Sequence, residues 1–255
     1  MTRRLGLLAL AALLLAPAAR AGSALAVLPP DPFGSFRGVV HDSEGRAIGE
    51  NRVENLRRAD GTVYLRSEAR VTGEPGNLLE AELEPIPGSE RLRPLWQRTR
   101  MPLAGGEGEV ELHVDHRMGR ARCLRAGEPP LEVALPADER VANVPMNLAV
   151  RDLAASRAES VRFQLVLCEG WRQIVDVEVR AEPPPAAGAV QLRFRFDLGS
   201  RALSALFRPF LPDIRVWVRP DPPYEWVAHR LPLYRGGPVI AIVREGVDPA
   251  PFLPR

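Results

Sequence analysis

The sequence predicts a mainly β protein: a large, curved antiparallel sheet, half-barrel-like, with two short helices. Three features of its 255 residues indicate this fold class. Short runs alternate apolar and polar side chains with a period of two, which is the pattern of half-buried strands. Turn-forming residues separate these runs, and the chain contains 26 prolines and 21 glycines. Two other stretches repeat apolar residues at intervals of three and four, as helices do.

The predicted strands follow one another with short turns between them, which favours antiparallel neighbours in one sheet that curls toward a barrel. The Gly105-Gly106 pair indicates a hairpin. Pro183-Pro184-Pro185 is interpreted as a rigid loop inside a single domain. In chain order, the strands are expected at Phe36–Val40, from about Ala47, Thr62–Thr72, Leu78–Leu83, Trp96–Met101, Glu109–Asp115, Arg120–Leu124, Val161–Cys168, Trp171–Arg180, Val190–Asp197, Ile214–Arg219, Tyr224–Leu231 and Val239–Arg244.

The two helices are expected in the second half of the chain. Asn143 is a suitable N-cap for the first helix, whose apolar face should run to about Ala158. Ser200 opens the second, Arg201–Phe207, and the prolines at 209 and 212 end it.

The N-terminus has the order of a secretory signal peptide. Two arginines precede an apolar run of about twelve residues, too short to span a bilayer, which takes roughly 20. We place cleavage after Ala21, with Ala26 as the alternative site, and expect a periplasmic location. The domain boundaries that follow are a signal peptide at 1–21, a proline-rich leader at 22–32, one β-rich domain at 33–245 and a C-terminal tail at 246–255.

Charge composition excludes several classes of function. All 34 basic residues are arginine, against 32 acids, so lysine-based catalysis and a Walker phosphate loop are excluded. Removal of the three arginines at positions 3, 4 and 20 leaves 31 against 32, a net charge of about −1. This balance gives no indication of a nucleic-acid partner.

Catalytic and metal-binding patterns are weak. His113, Asp115 and His116 are the one cluster of metal-ligand types, but alternation on a strand puts at most two of them on one face, so no metal site is expected. Neither a nucleophile elbow nor a dinucleotide-binding motif occurs. We therefore expect a non-enzymatic protein without a cofactor. Cys123 and Cys168 form either a disulfide, natural in an exported protein, or two separate buried thiols.

The candidate ligand-binding residues are apolar. The segment Leu203–Leu211 forms either part of the core or a lip over a cavity, and aromatic residues on the following strands either line a groove or cover the second face of the sheet. The residues proposed to bind a hydrophobic ligand are Leu203, Leu206, Phe207, Phe210, Trp217 and Trp226.

The last three strands carry a resemblance to a known family. Their sequences are Ile214-Arg215-Val216-Trp217-Val218-Arg219, Pro222-Pro223-Tyr224-Glu225-Trp226-Val227 and Gly236-Gly237-Pro238-Val239-Ile240-Ala241-Ile242-Val243. With the signal peptide, the long meander and the mid-chain helix, they resemble envelope proteins similar to the LolA and LolB lipoprotein carriers. The resemblance implies a half-barrel around helices whose concave side holds acyl chains, with a lipid or lipoprotein as the partner. The alternative is a structural or partner-binding envelope protein with a filled core.

Overall fold

A computed structural model describes residues 24–30, 33–103, 108–136, 141–156, 158–168, 173–182, 188–197, 211–234 and 236–254. In this part of the chain, fourteen strands form one antiparallel sheet. They are β1 Gly34–His41, β2 Ala47–Arg57, β3 Val63–Val71, β4 Glu74–Pro85, β5 Leu92–Pro102, β6 Glu109–Asp115, β7 Arg120–Arg125, β8 Leu131–Ala134, β9 Ser160–Val166, β10 Ile174–Glu182, β11 Val190–Asp197, β12 Arg215–Val218, β13 Trp226–Pro232 and β14 Val239–Arg244. The predicted mainly β, antiparallel fold class is confirmed.

The sheet consists of two meanders joined side by side. Its order is β8-β7-β6-β5-β4-β3-β2-β1-β14-β13-β12-β11-β10-β9, so the first and last strands pair with each other. The two edge strands, β8 and β9, are consecutive in the chain. Residues 135–159 connect them, and this connection contains the helix α1, Met146–Ser156.

The main core lies between the concave face of the sheet and α1. Alternate residues of the strands point inward, as in β3, where Val63, Leu65, Ala69 and Val71 are all buried. Leu148, Val150 and Leu153 of α1 belong to the same cluster. The helix is therefore enclosed by the sheet, and burial of these side chains stabilises the curvature. None of the helices in the described residues is long and apolar enough to cross a membrane.

A disulfide between Cys123 and Cys168 shows how far the sheet curls. Cys123 is on β7, next to one edge, and Cys168 follows β9, the other edge. Twelve strand spacings would separate these strands by about 58 Å in a flat sheet. Their Cα atoms are instead 5.4 Å apart, so the two edges meet on the far side of a barrel-like structure.

Residues 24–30, the N-terminal segment, help to close the sheet. Val27 exchanges two backbone hydrogen bonds with Leu92 at the start of β5, and the Leu25 N–H donates to the carbonyl of Val141. Leu25 and Val27 lie in the main core with 6% and 0% of their surface exposed. The sequence analysis placed 22–32 in a leader outside the domain, and this arrangement differs from that prediction. The apolar residues Leu25 and Val27 are too few, and too close to prolines, to show a strand pattern, and their partners are distant in the chain.

The C-terminal residues also belong to the domain rather than to a tail. Phe252 lies in a 3-10 helix, Ala250–Phe252, and is 1% exposed. Its ring packs edge-on against Trp217 on the outer face of the sheet, at 5.3 Å between centroids. The prediction of a tail beginning at 246 therefore missed a second, smaller core outside the sheet.

One predicted helix has a counterpart in the structure. The helix expected from Asn143 is α1, slightly shorter than predicted. Asn143 precedes the helix, but its side chain bonds the last residue of β9. The Asn143 amide group donates to the Val166 carbonyl and accepts from the Val166 N–H. The second predicted helix, Arg201–Phe207, and the signal peptide lie outside the described residues.

Candidate functional site

A pocket opens at the end of the sheet where β1 and β13 begin and β2 and β14 end. We call it the end pocket. Its empty space, including the open mouth, is about 290 Å³. It combines aromatic, amide and guanidinium side chains. The lining residues are Pro30, Phe36, Asn55, Asn147, Leu148, Arg151, Trp226 and Arg244.

The aromatic wall of the end pocket is formed by Phe36 and Trp226. Their ring centroids are 5.7 Å apart, and Trp226 also contacts the His229 ring at 5.4 Å. The absence of a side chain at Gly38 makes room for the indole, because a Cβ there would lie 3.1 Å from Trp226 and 3.0 Å from Ile242. The Trp226 Nε1 is buried without a hydrogen-bond partner among the described residues. A buried indole N–H normally finds an acceptor, so a ligand oxygen would suit this position.

Arg151 supplies a cation from inside the barrel. It lies on α1, is 6% exposed, and donates hydrogen bonds to the carbonyl oxygens of Pro29 and Pro223. It therefore connects the N-terminal segment to the loop between β12 and β13. Across the pocket, Arg244 forms an ion pair with Glu225 at 3.0 Å and lies 5.7 Å from the centre of the Phe36 ring.

A second arginine fixes the N-terminal segment from the side of β5. Arg91 donates to the Ala26 carbonyl at 3.1 Å and to the carboxylate of Asp152 on α1. Burial raises the pKa of Asp152, although the hydrogen bond from Arg91 opposes this shift. The rim of the end pocket is thus held by polar contacts from the helix and from the sheet.

The predicted ligand-binding residues do not form one site in the described structure. Trp226 lines the end pocket. Trp217 faces the opposite way, is 1% exposed, and packs under Phe252. This agrees with the alternative in which the aromatic residues cover the second face of the sheet. The remaining four, Leu203, Leu206, Phe207 and Phe210, lie outside the described residues.

Sequence reasoning missed most of the polar residues of the end pocket. Arg151 gave a signal, because it is the one basic residue of Met146–Ser156 and follows Val150 of the predicted apolar face. Phe36, Asn55 and Arg244 gave none, because they are brought together by the pairing of β1 with β14, which local patterns do not reveal.

The histidines and carboxylates of β6 lie in separate environments. His113 faces outward beside Glu111, whereas His116 is 3% exposed. Burial alone would raise the pKa of Glu111, but hydrogen bonds from Arg98 and His113 lower it to about 2. Within the described ranges, no three His, Cys, Asp or Glu side chains gather as metal ligands do.

The chain is similar in fold to a solved structure of unknown function. No family model matches the chain, and no curated protein matches it. The crystal structure of a beta-barrel-like protein of domain of unknown function DUF1849 from Brucella abortus is similar, with 11% sequence identity and a TM-score of 0.45 over 88% of this chain and 97% of that one. The strand pairing and the disulfide of this chain by themselves define one curled, barrel-like antiparallel sheet around a helix.

Proposed function

We propose that the protein is a non-enzymatic binding protein of the periplasm that holds an amphiphilic ligand, a lipid or a lipoprotein acyl chain, as the resemblance to the LolA and LolB carriers implies. The observation that carries the proposal is the composition of the end pocket. An aromatic pair, Phe36 and Trp226, lines it together with two guanidinium groups, those of Arg151 and Arg244. Apolar walls with a few convergent polar groups are characteristic of small-molecule sites.

The size of the end pocket limits what it holds. The 290 Å³ of empty space includes open solvent, and the cavity itself is about 10 Å³, about the room that one water molecule needs. A polar or anionic head group therefore fits only if the side chains that line the pocket move apart. Each buried methylene contributes about 0.8 kcal/mol, and an acidic head group pairs with Arg151 or Arg244.

Export to the periplasm is the second part of the proposal. The signal-peptide pattern at 1–21 supports it, and so does a disulfide that ties the two edges of the sheet. Disulfides persist in oxidising compartments and are rare in the cytosol.

Quenching of tryptophan fluorescence by a brominated fatty acid tests the binding role. A chain that starts at Gly22 contains all the described residues, and the quencher should reduce the emission of Trp226 in a saturable manner. The Trp226→Phe variant should lose most of the quenching. Trp96→Phe is the matched control, because Trp96 lies on the outer face, where its Nε1 donates to Glu82 at 3.2 Å. Equal quenching in both variants, or none in the wild type, would contradict the proposal.

One observation favours the alternative of a structural or partner-binding envelope protein. The concave face is densely filled in the described structure, where α1 and the strands form one continuous core. This alternative expects the purified protein to carry no small molecule. Native mass spectrometry before and after unfolding separates the two, because a released mass of lipid size supports the carrier and contradicts the filled-core alternative.

A further inference from the structure

A row of arginines crosses the outer face of the sheet from β10 to β13. Strand register places Arg180 opposite Arg193, Arg193 opposite Arg215, and Arg215 opposite Arg230. These are three consecutive pairs of like charge, and such pairs destabilise a sheet. The row is on the outer face, because Leu192, Phe194 and Val216, which alternate with its members, belong to the main core.

Elsewhere on this face, opposite charges commonly face each other, and the like-charge pairs Arg37–Arg52 and Asp176–Asp197 are isolated. Arg66 on β3 is opposite Glu80 on β4, which is opposite Arg98 on β5. Arg122 on β7 is opposite Glu132 on β8, with 2.6 Å between the charged atoms. What distinguishes β10–β13 among the described strands is the length of its run, with three like-charge pairs in succession.

Protein carboxylates neutralise the arginine row only in part. Asp213 serves three of its members, at 2.9 Å from Arg193, 3.1 Å from Arg215 and 3.3 Å from Arg230. Glu182 is 3.6 Å from Arg193. Within the part of the chain that the structure describes, three guanidinium groups thus share two carboxylates, which leaves one positive charge.

The guanidinium groups are held in place by the fold. Arg230 is the most enclosed, with 12% of its side chain exposed. It donates to the Leu253 carbonyl at 3.2 Å and lies 5.8 Å from the Trp217 ring. Burial and the charges of Arg215 and Arg193 lower its pKa. The side chain of Arg215 is 23% exposed, and within the described residues its only protein partner is Asp213, so its terminal nitrogens remain available to a ligand.

We infer that Arg193, Arg215 and Arg230 form a binding site on the outer face for a phosphoryl group, from a soluble phosphate or from a lipid head group. A tetrahedral oxyanion accepts hydrogen bonds from several guanidinium groups at once, and this suits arginine better than lysine. A bound phosphoryl group would neutralise the positive charge that Asp213 and Glu182 leave. The site is on the opposite face from the end pocket and does not depend on the proposed function.

Titration with inorganic phosphate at low ionic strength tests this site, with the melting temperature and calorimetry as readouts. Arg193→Gln and Arg215→Gln should each weaken phosphate binding by about tenfold or more, the loss expected for a charged hydrogen bond. Arg122→Gln is the control, because it removes the same charge from the same face far from the row. Asp213→Asn should strengthen binding, since it removes a competing carboxylate, and phosphate should raise its melting temperature more than that of the wild type.

A vesicle assay separates the two sources of the phosphoryl group. Binding to phosphatidylglycerol vesicles but not to phosphatidylcholine vesicles, lost in Arg215→Gln, assigns the site to a lipid head group. Binding of inorganic phosphate alone assigns it to a soluble phosphate. The inference is overturned if neither probe binds, if Arg122→Gln weakens binding as much as Arg215→Gln, or if Asp213→Asn weakens phosphate binding.

Discussion

His116 should make the stability of the protein sensitive to mild acid. The residue follows β6, its backbone N–H donates to Leu95 at 3.0 Å, and its ring is 3% exposed. Among the described residues, neither ring nitrogen has a hydrogen bond of good geometry, and the Asn143 backbone is a weak partner only. Burial therefore lowers the pKa of His116 from 6.5 to about 4, although the Asn143 backbone and the Asp115 charge oppose the shift.

The sign and size of the effect follow from this pKa. The folded protein favours the neutral ring of His116. The free energy of unfolding is therefore undiminished by this group above pH 6.5, and it decreases as the pH falls toward 4. The difference between 6.5 and a pKa of about 4 corresponds to about 3 kcal/mol at full protonation. Between pH 7.5 and pH 5.0, the loss from this group is about 2 kcal/mol.

Urea unfolding at pH 7.5 and pH 5.0 measures this loss. The His116→Gln variant should lose about 2 kcal/mol less than the wild type over this range. His229, whose pKa burial also lowers to about 4, contributes equally to both proteins, so the comparison isolates His116. An equal pH dependence in the wild type and His116→Gln would refute the reasoning.

Three further predictions concern closure of the sheet and the end pocket. Reduction of the Cys123–Cys168 disulfide, 45 positions apart, should lower the free energy of unfolding by about 4 kcal/mol; urea unfolding with and without reductant measures this, and unchanged stability would contradict it. Gly38→Ala should displace the Trp226 indole, because the new Cβ would lie 3.1 Å from it, and the fluorescence titration should then show weaker fatty-acid binding; wild-type affinity would argue against the packing described. Val27→Ala should cost about 2 kcal/mol, since two buried methyl groups are lost, and a change below about 0.5 kcal/mol, the level of a surface substitution, would place residues 24–30 outside the core.

Alternation of side chains predicted most of the sheet, because each meander strand is an independent local pattern. It did not predict which strands meet over long range. The pairing of β1 with β14 and of Val27 with Leu92 joins segments that are distant in the chain and carry no shared signal. The proline-rich N-terminal segment in particular lacks the length from which a period can be recognised.

A single inserted residue explains why the two site tryptophans were wrongly grouped. Trp217 pairs with Ala228, but the next pair is Val218 with Trp226, so Val227 is an extra residue in a β-bulge. A one-residue change of register moves every later side chain to the other face. Trp226 therefore points into the barrel, while Trp217 points outward to Phe252. Sequence alternation alone does not locate such a bulge.

The end pocket lies where β1 of the first meander pairs with β14 of the second, which we call the joint. Its inward-facing residues include polar and charged side chains, whereas a core is normally apolar. Along the concave face, Arg244 on β14 is opposite Gly38 on β1, and Asn55 on β2 is opposite Leu65 on β3. Aliphatic side chains occupy the equivalent inward positions one step further along, at Val40 and Ile242. Enclosing an amide and a guanidinium costs more than enclosing aliphatic groups of similar volume. Departures from the local pattern without a gain in packing are expected at functional sites, which supports the joint, rather than another part of the concave face, as the position of the proposed binding site.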